Sequence, residues 1–130
     1  MHGRETFALQ KVQQAIVFMD RHLSDRLTLP LIAGQLKISP CHFAHEFKRA
    51  TGVAPHQYLI QRRIERARHL LASSDLPIAD IALAVGFANQ SHFSALFHRV
   101  AGMTPQVYRA ARHRPGPQDS DIRTGTPPLG

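Results

Sequence analysis

One segment of this chain is stated twice. Residues 42–58 read HFAHEFKRATGVAPHQY and residues 92–108 read HFSALFHRVAGMTPQVY, with the same order of Phe, Gly, Pro and Tyr in both. Self-similarity at a fixed period means that one small element occurs twice and packs alike each time. The offset is 50 from His42 to His92 but 49 from Ala33 to Ala82, so the second copy has gained one residue in between. A chain of 130 residues with 43% hydrophobic content has room for one domain or two very small ones, which agrees with duplication.

The repeated element is helical. Leu9, Val12, Ile16, Met19 and Leu23 recur at steps of three and four, the spacing of one helical face, and Ser24 to Arg26 break it. Thr28 is placed to cap a short helix from about Leu29 to Leu36. Ser39 followed by Pro40 starts the next, because Ser caps free amides and Pro is preformed for the first helical turn. That helix carries Phe43 and Phe47 on one face and stops at Gly52, leaving Lys37 and Ile38 as the turn before it.

Pro55 opens a longer helix to about Ala72, with Ile60, Ile64, Ala67 and Leu71 along one side and Arg62, Arg66 and His69 elsewhere. At about 1.5 Å per residue it is roughly 27 Å long, enough to hold two modules apart. After Ser73 to Asp75 the pattern restarts. Ile78, Ile81, Ala82 and Val85 form a short helix ended by Gly86; Asn89 caps the next, where Phe93 and Phe97 repeat Phe43 and Phe47. Gly102 ends that helix, and Thr104 with Pro105 begins a last one carrying Val107 and Tyr108.

The fold expected is all-α. A short helix, a tight turn and a second helix with its own apolar face make a helix-turn-helix, here present twice and joined by a long helix. The divisions are an amino-terminal helix-turn-helix subdomain over 1–54, a linker helix over 55–73, a carboxy-terminal helix-turn-helix subdomain over 74–113, and a tail over 114–130. The tail, RPGPQDSDIRTGTPPLG, has no apolar period and is expected to be disordered.

Charge narrows the partner. The formal net charge is +7, and without the segment from Pro115 onward fifteen basic residues stand against seven acidic ones, a net of +8. Thirteen of the sixteen basic residues are Arg, whose planar fork suits phosphate oxygens and guanine edges. The single cysteine, Cys41, excludes an intramolecular disulfide and a CxxC metal knuckle. No apolar stretch is long enough to span a bilayer and no leader opens the chain, so a cytoplasmic location is expected.

Nine histidines invite a metal or catalytic reading. His42 and His45 lie near Cys41 and Glu46, but His42 and His92 are equivalent in the repeat, which favours a structural role in both copies. There is no GxSxG, HExxH, glycine-rich phosphate loop or paired carboxylate set, and Asp80 and Glu65 fit a helix start and a salt bridge with Arg68 or His69. No cofactor, no metal and no enzymatic activity is expected.

Two readings remain for the helical repeat. One is a protein–protein interaction scaffold in which Phe, Gly, Pro and Tyr serve packing and punctuation alone. The other is a DNA reader, and the polar residues favour it. The early turns of the two second helices carry Cys41, Ala44 and His45 in one copy and Gln90, Ser91 and Ala95 in the other. Such groups can approach base edges in a major groove, and Gln can bond adenine through two hydrogen bonds. Lys48, Arg49, His98 and Arg99 follow at the far ends, where cations suit the helix dipole and reach phosphates. Ser39 and Asn89 at the helix starts complete the candidate phosphate contacts.

The run PIADIALAVGFANQSHFSALFHRVAGMTPQVYR, Pro77 to Arg109, resembles the signature of the AraC/XylS family of bacterial transcription regulators. LTLPLIAGQLKISPCHFAHEFKRATGVAPHQYL is similar to that family's amino-terminal helix-turn-helix, and RRIERARHLL, Arg62 to Leu71, to its linker helix. The resemblance implies seven helices whose third and sixth, about 40–51 and 90–101, are recognition helices in successive major grooves. It also implies sequence-specific binding of double-stranded DNA at promoter sites and a contact with RNA polymerase.

Many relatives place Arg where this chain has His45 and Ala95. Either the target is unusual, with a thymine methyl read by Ala44 or Ala95, or binding leans more on phosphates and on a partner. His45 can accept or donate when neutral and is cationic when protonated. Family members commonly carry a separate effector-binding, dimerising domain, so the chain is expected to be a monomer that is either stand-alone or part of a longer regulator.

Overall fold

The computed structural model describes residues 2–113, and within them the regular secondary structure is α-helix alone. The elements are α1 (His2–Arg21), α2 (Leu29–Leu36), α3 (Pro40–Thr51), α4 (Pro55–Ser73), α5 (Ile78–Ala84), α6 (Gln90–Ala101) and α7 (Pro105–Arg112). The expected all-α fold with seven helices is what is seen. The tail from Arg114 onward lies outside the described residues.

Local chemistry fixes the helix starts. The Thr28 hydroxyl oxygen accepts from the Leu31 amide at 3.2 Å, and Thr104 accepts from Val107 at 3.2 Å. Proline occupies the first turn of α2, α3, α4 and α7, where its missing N–H has no helical partner to lose. Gly52 and Gly102 end α3 and α6 in left-handed conformation, at φ 86° and 84°. Asp80 lies in the first turn of α5, as expected of a helix start.

Packing then gathers the helices around two apolar clusters. The first holds Val12, Ala15, Met19, Leu23, Ile32, Ala33, Leu36, Phe43, Phe47 and Leu59. The second holds Ile64, Ala67, Leu71, Ile81, Ala82, Val85, Phe87, Phe93, Leu96 and Phe97. The repeat is visible as an aromatic ladder built twice. Phe43 meets Phe47 at 5.5 Å and Phe47 meets Tyr58 edge-on at 5.3 Å; Phe93 meets Phe97 at 5.6 Å and Phe97 meets Tyr108 edge-on at 5.5 Å. Phe43, Phe47, Phe93 and Phe97 are fully buried, and truncating any one to Ala is worth about 3–5 kcal/mol.

α4 belongs to both clusters. Leu59 and Tyr58 sit in the first and Ile60, Ile64, Ala67 and Leu71 in the second, so the helix changes sides between consecutive residues. The apolar stripe expected from Ile60 onward therefore holds, with Leu59 added on the other flank. In α1 the stripe is corrected. Leu9 is 53% exposed and Ala15 is fully buried, because α1 packs through Val12, Ala15 and Met19 while Leu9 stands on the rim of a groove with Glu46, Arg49 and Ala50.

Long polar side chains close helix ends that local caps leave open. Lys11 Nζ donates to the Leu36 carbonyl at the end of α2, at 2.9 Å. Arg109 donates from Nε to the Leu71 carbonyl at 3.2 Å and from Nη2 to the Ser74 carbonyl at 3.1 Å, joining α7 to the end of α4. Arg62 Nε reaches Asp20 Oδ1 at 3.1 Å, and that bond raises the Arg62 pKa above the ordinary arginine value. Arg68, not His69, meets Glu65, at 3.3 Å.

The two turns differ in one respect. Lys37 and Gly86 occupy equivalent positions, both with left-handed backbone, at φ 61° and 101°. Lys37 is exposed, whereas a methyl at Gly86 would strike the Leu23 carbonyl oxygen and lie 2.6 Å from Arg63 Nε. Lys37→Gly should therefore change stability by less than about 1 kcal/mol, since relief of left-handed strain is offset by a freer unfolded chain. Gly86→Ala should cost more than about 2 kcal/mol, combining strain with overpacking. Urea unfolding of the two variants checks this; equal shifts would refute the difference in packing.

Candidate nucleic-acid interface

α3 and α6 each bury one face and present the other. In α3, Phe43 and Phe47 face the core while Cys41, His42, His45, Lys48 and Arg49 are exposed. In α6, Phe93, Leu96 and Phe97 face inward and Gln90, Ser91, Ala95, His98 and Arg99 are exposed. Of the candidate base-reading residues, five are exposed on these surfaces. Ala44 is half-buried and borders a groove with Leu27, Leu29, Ile32, Pro55, His56 and Leu59.

The caps place Ser39 and Asn89 at the first turns of α3 and α6. Ser39 Oγ accepts from the His42 amide at 3.1 Å, and Asn89 Oδ1 accepts from the His92 amide at 2.8 Å. Each bond uses an oxygen lone pair only. The Ser39 hydroxyl proton and the Asn89 amide protons remain available to an acceptor such as a phosphate oxygen. Capping and phosphate contact are therefore compatible in one residue.

Electrostatically the two copies are unequal. Arg49 donates to Glu46 Oε1 from Nη2 at 3.1 Å and from Nε at 3.3 Å. The position equivalent to Glu46 in the second copy is Leu96, which is buried. Among the described residues, Arg99, His98 and Lys48 have no carboxylate partner within ion-pair distance. The Arg99 guanidinium thus faces solvent without a carboxylate partner among the described residues, while Arg49 is partly satisfied.

The histidines separate by environment. His42 Nε2 lies 3.9 Å from Glu46 Oε2, whereas the His92 ring packs edge-on against Phe87 at 5.5 Å. The equivalence of the two in sequence does not extend to their contacts. Among the described residues, no three His, Cys, Asp or Glu side chains gather as a metal site. Nor is any described helix long and apolar enough to cross a membrane.

One residue that the sequence reading did not single out is Arg63. Its Nε donates to the Leu23 carbonyl at 2.9 Å, its Nη2 donates to the Asp25 carbonyl at 2.8 Å, and its guanidinium lies 6.0 Å from the centre of the Phe87 ring. Burial pulls its pKa below the ordinary arginine value, but a guanidinium stays cationic at physiological pH. The signal was in the spacing. Arg63 precedes Ala67 and Leu71 by four and eight residues, which puts a charge in line with an apolar stripe.

Two helix-turn-helix units that share a helix and present basic outer faces define a class of DNA-binding architecture. Comparison with known proteins supplies the family. A family model described as a helix-turn-helix domain matches residues 32–111. The chain is 37% identical over 99 residues to the regulatory protein PocR of Salmonella typhimurium, covering 76% of this chain and 33% of that protein. It is 34% identical over 97 residues to the HTH-type transcriptional activator RhaS of Shigella boydii, covering 75% and 35%.

Among solved structures, the C-terminal domain of AraT, a response regulator from Geobacillus stearothermophilus, superposes with a TM-score of 0.80 at 33% identity, covering 82% of this chain and 89% of that one. The DNA-binding domain of AdpA, solved in complex with a target DNA, gives 0.75 at 30% identity, covering 77% and 90%. A transcriptional regulator from Chromobacterium violaceum, described as an AraC-type DNA-binding domain-containing protein, gives 0.76 at 31% identity, covering 83% and 96%, and the chain belongs to the AraC family of helix-turn-helix domains of transcription regulators, as the run from Pro77 to Arg109 implied. It spans about a third of the length of the curated relatives it matches.

The caps make a measurable contribution to this surface. Ser39→Ala and Asn89→Ala should each lower stability by about 1 kcal/mol, because each leaves an amide of the first turn without its partner. Urea unfolding monitored by far-UV circular dichroism gives the number. An unchanged midpoint in both variants would mean that solvent satisfies those amides as well as the side chains do.

Proposed function

We propose that this chain is the sequence-specific, double-stranded DNA-binding part of a bacterial transcription regulator and performs no catalysis. The observation that carries the reading is the pair of outward-facing helices whose caps, Ser39 and Asn89, and last-turn basic residues, Lys48 and Arg49, His98 and Arg99, fall at equivalent places in both copies. α3 and α6 enter successive major grooves on one face of the duplex, where like grooves recur about every 34 Å. The divisions at 1–54, 55–73 and 74–113 correspond to reader, linker and reader.

Cys41, Ala44 and His45 read bases from α3, and Gln90, Ser91 and Ala95 read them from α6. Gln90 offers a donor and an acceptor on one flexible side chain, the pattern that matches adenine in the major groove. Ser39, Lys48, Arg49, Asn89, His98 and Arg99 hold phosphates on either side. AdpA supports DNA as the partner, since its similar domain was solved in complex with a target DNA. RNA polymerase and a companion effector-binding domain that dimerises are the further partners, and the cytoplasm is the compartment.

Selection from a randomised duplex pool at physiological salt tests the reading directly. Two enriched blocks about one helical turn apart are expected, and no enrichment would sink it. Variants then separate the roles. Arg99→Ala should weaken binding to every duplex and lower the salt slope by about 0.9, whereas Arg49→Ala should do less because Glu46 already holds that guanidinium. Gln90→Ala should change preference at one or two base pairs with the salt slope kept. Uniform weakening by Gln90→Ala would remove it from the base-reading set.

A further inference from the structure

The two readers are covalently joined through α4, yet a shared helix does not by itself fix their mutual angle. Each unit meets α4 through different side chains, Leu59 for the first core and Ile60 onward for the second. Arg63 lies one turn farther on, where it touches both sides. Leu23 and Asp25 follow the end of α1, and their carbonyls take both hydrogen bonds of the Arg63 fork, at 2.9 and 2.8 Å. The other side of the guanidinium faces Phe87, in the turn of the second unit.

Gly86 closes the same junction. A Cβ there would meet the Leu23 carbonyl oxygen and come within 2.6 Å of Arg63 Nε and 2.8 Å of Arg63 Cζ, so the second turn lies directly on the loop of the first unit. The equivalent Lys37 is exposed in the first turn, which shows that a helix-turn-helix as such does not require this contact. The contact serves the relation between the units.

We infer that Arg63 is a positioning residue for DNA reading: by bridging the Leu23 and Asp25 carbonyls to the Gly86–Phe87 turn it sets the base-pair spacing at which α3 and α6 bind together. The inference rests on the DNA-reading function proposed above. Removing the bridge leaves each reader with its own cap and its own aromatic ladder, so single-block recognition survives. What is lost is the penalty against wrong spacing, because a pivoting pair of readers adapts to either.

Two measurements on the full chain test this. Affinities are compared for duplexes carrying both selected blocks at the selected spacing and with one base pair added or removed. The unmodified chain should favour the selected spacing by at least about tenfold, while Arg63→Ala should reduce that ratio to within about threefold and keep its affinity for a single block. An unchanged ratio, or equal loss on single blocks, would overturn the proposal.

The second measurement needs no DNA. Spin labels on Cys41 and on a cysteine introduced by Ala95→Cys report the distance between α3 and α6, which should be narrowly distributed with Arg63 and broad in Arg63→Ala. Equal widths overturn the junction whether or not the chain selects DNA, so failure of the DNA reading and failure of the bridge are told apart. If Arg63→Ala does not fold, Arg63→Lys takes its place. It keeps a charge but lacks the fork, so both quantities should move toward those of an unbridged chain; wild-type behaviour in both would overturn the proposal.

Discussion

Everything in this structure depends on one helix serving as a wall of two cores. Side chains on a helix advance by about 100° per residue, so Leu59 and Ile60 necessarily look in different directions. The chain uses that divergence to give the first core a lid and the second core a floor. Each core is small, with ten buried members among the described residues, and units of such size have little apolar surface to hold them folded alone. Sharing α4 lets both draw on one rigid element. It also makes the geometry of DNA reading a property of the protein interior.

Duplication kept the aromatic ladder, while residues around it, buried ones included, diverged. The aromatic ladder is kept ring for ring, whereas Glu46 has no acidic counterpart at Leu96 and Ile38 is answered by the larger, buried Phe87. The residue gained in the second turn, at Ala88, accompanies that change, and the turn leans on the first unit instead of facing solvent as Lys37 does. The copies thereby differ in their surroundings: Arg49 of the first is partly neutralised by Glu46, whereas Arg99 of the second has no carboxylate partner among the described residues.

Much of this was legible because it is local. Caps at Thr28, Ser39, Asn89 and Thr104, the stops at Gly52 and Gly102, and the buried Phe pairs all follow from residue chemistry within four or five positions. The surface residues of α3 and α6 follow from the same periodicity read on its opposite face. What was not legible involves partners far apart in sequence. Arg63 looked like one more basic residue of the linker, since nothing local says that carbonyls 38 and 40 residues away will need its donors. Leu9 fitted the stripe of α1 but lies beyond the reach of the core, where α3 ends.

The same distinction corrects what net charge means here. A body charge of +8 suggests a broadly cationic DNA-binding surface. Yet Lys11, Arg63 and Arg109 spend their donors on backbone carbonyls, and Arg49, Arg62 and Arg68 face carboxylates. A guanidinium held in a helix-end cage still adds to the long-range potential that draws DNA in, because its charge is not cancelled by a carbonyl dipole. The donors it commits to those carbonyls are not available to a phosphate. Long-range attraction draws on every fixed cation, whereas a phosphate contact needs free donors, which Lys48 and Arg99, with no carboxylate partner among the described residues, retain.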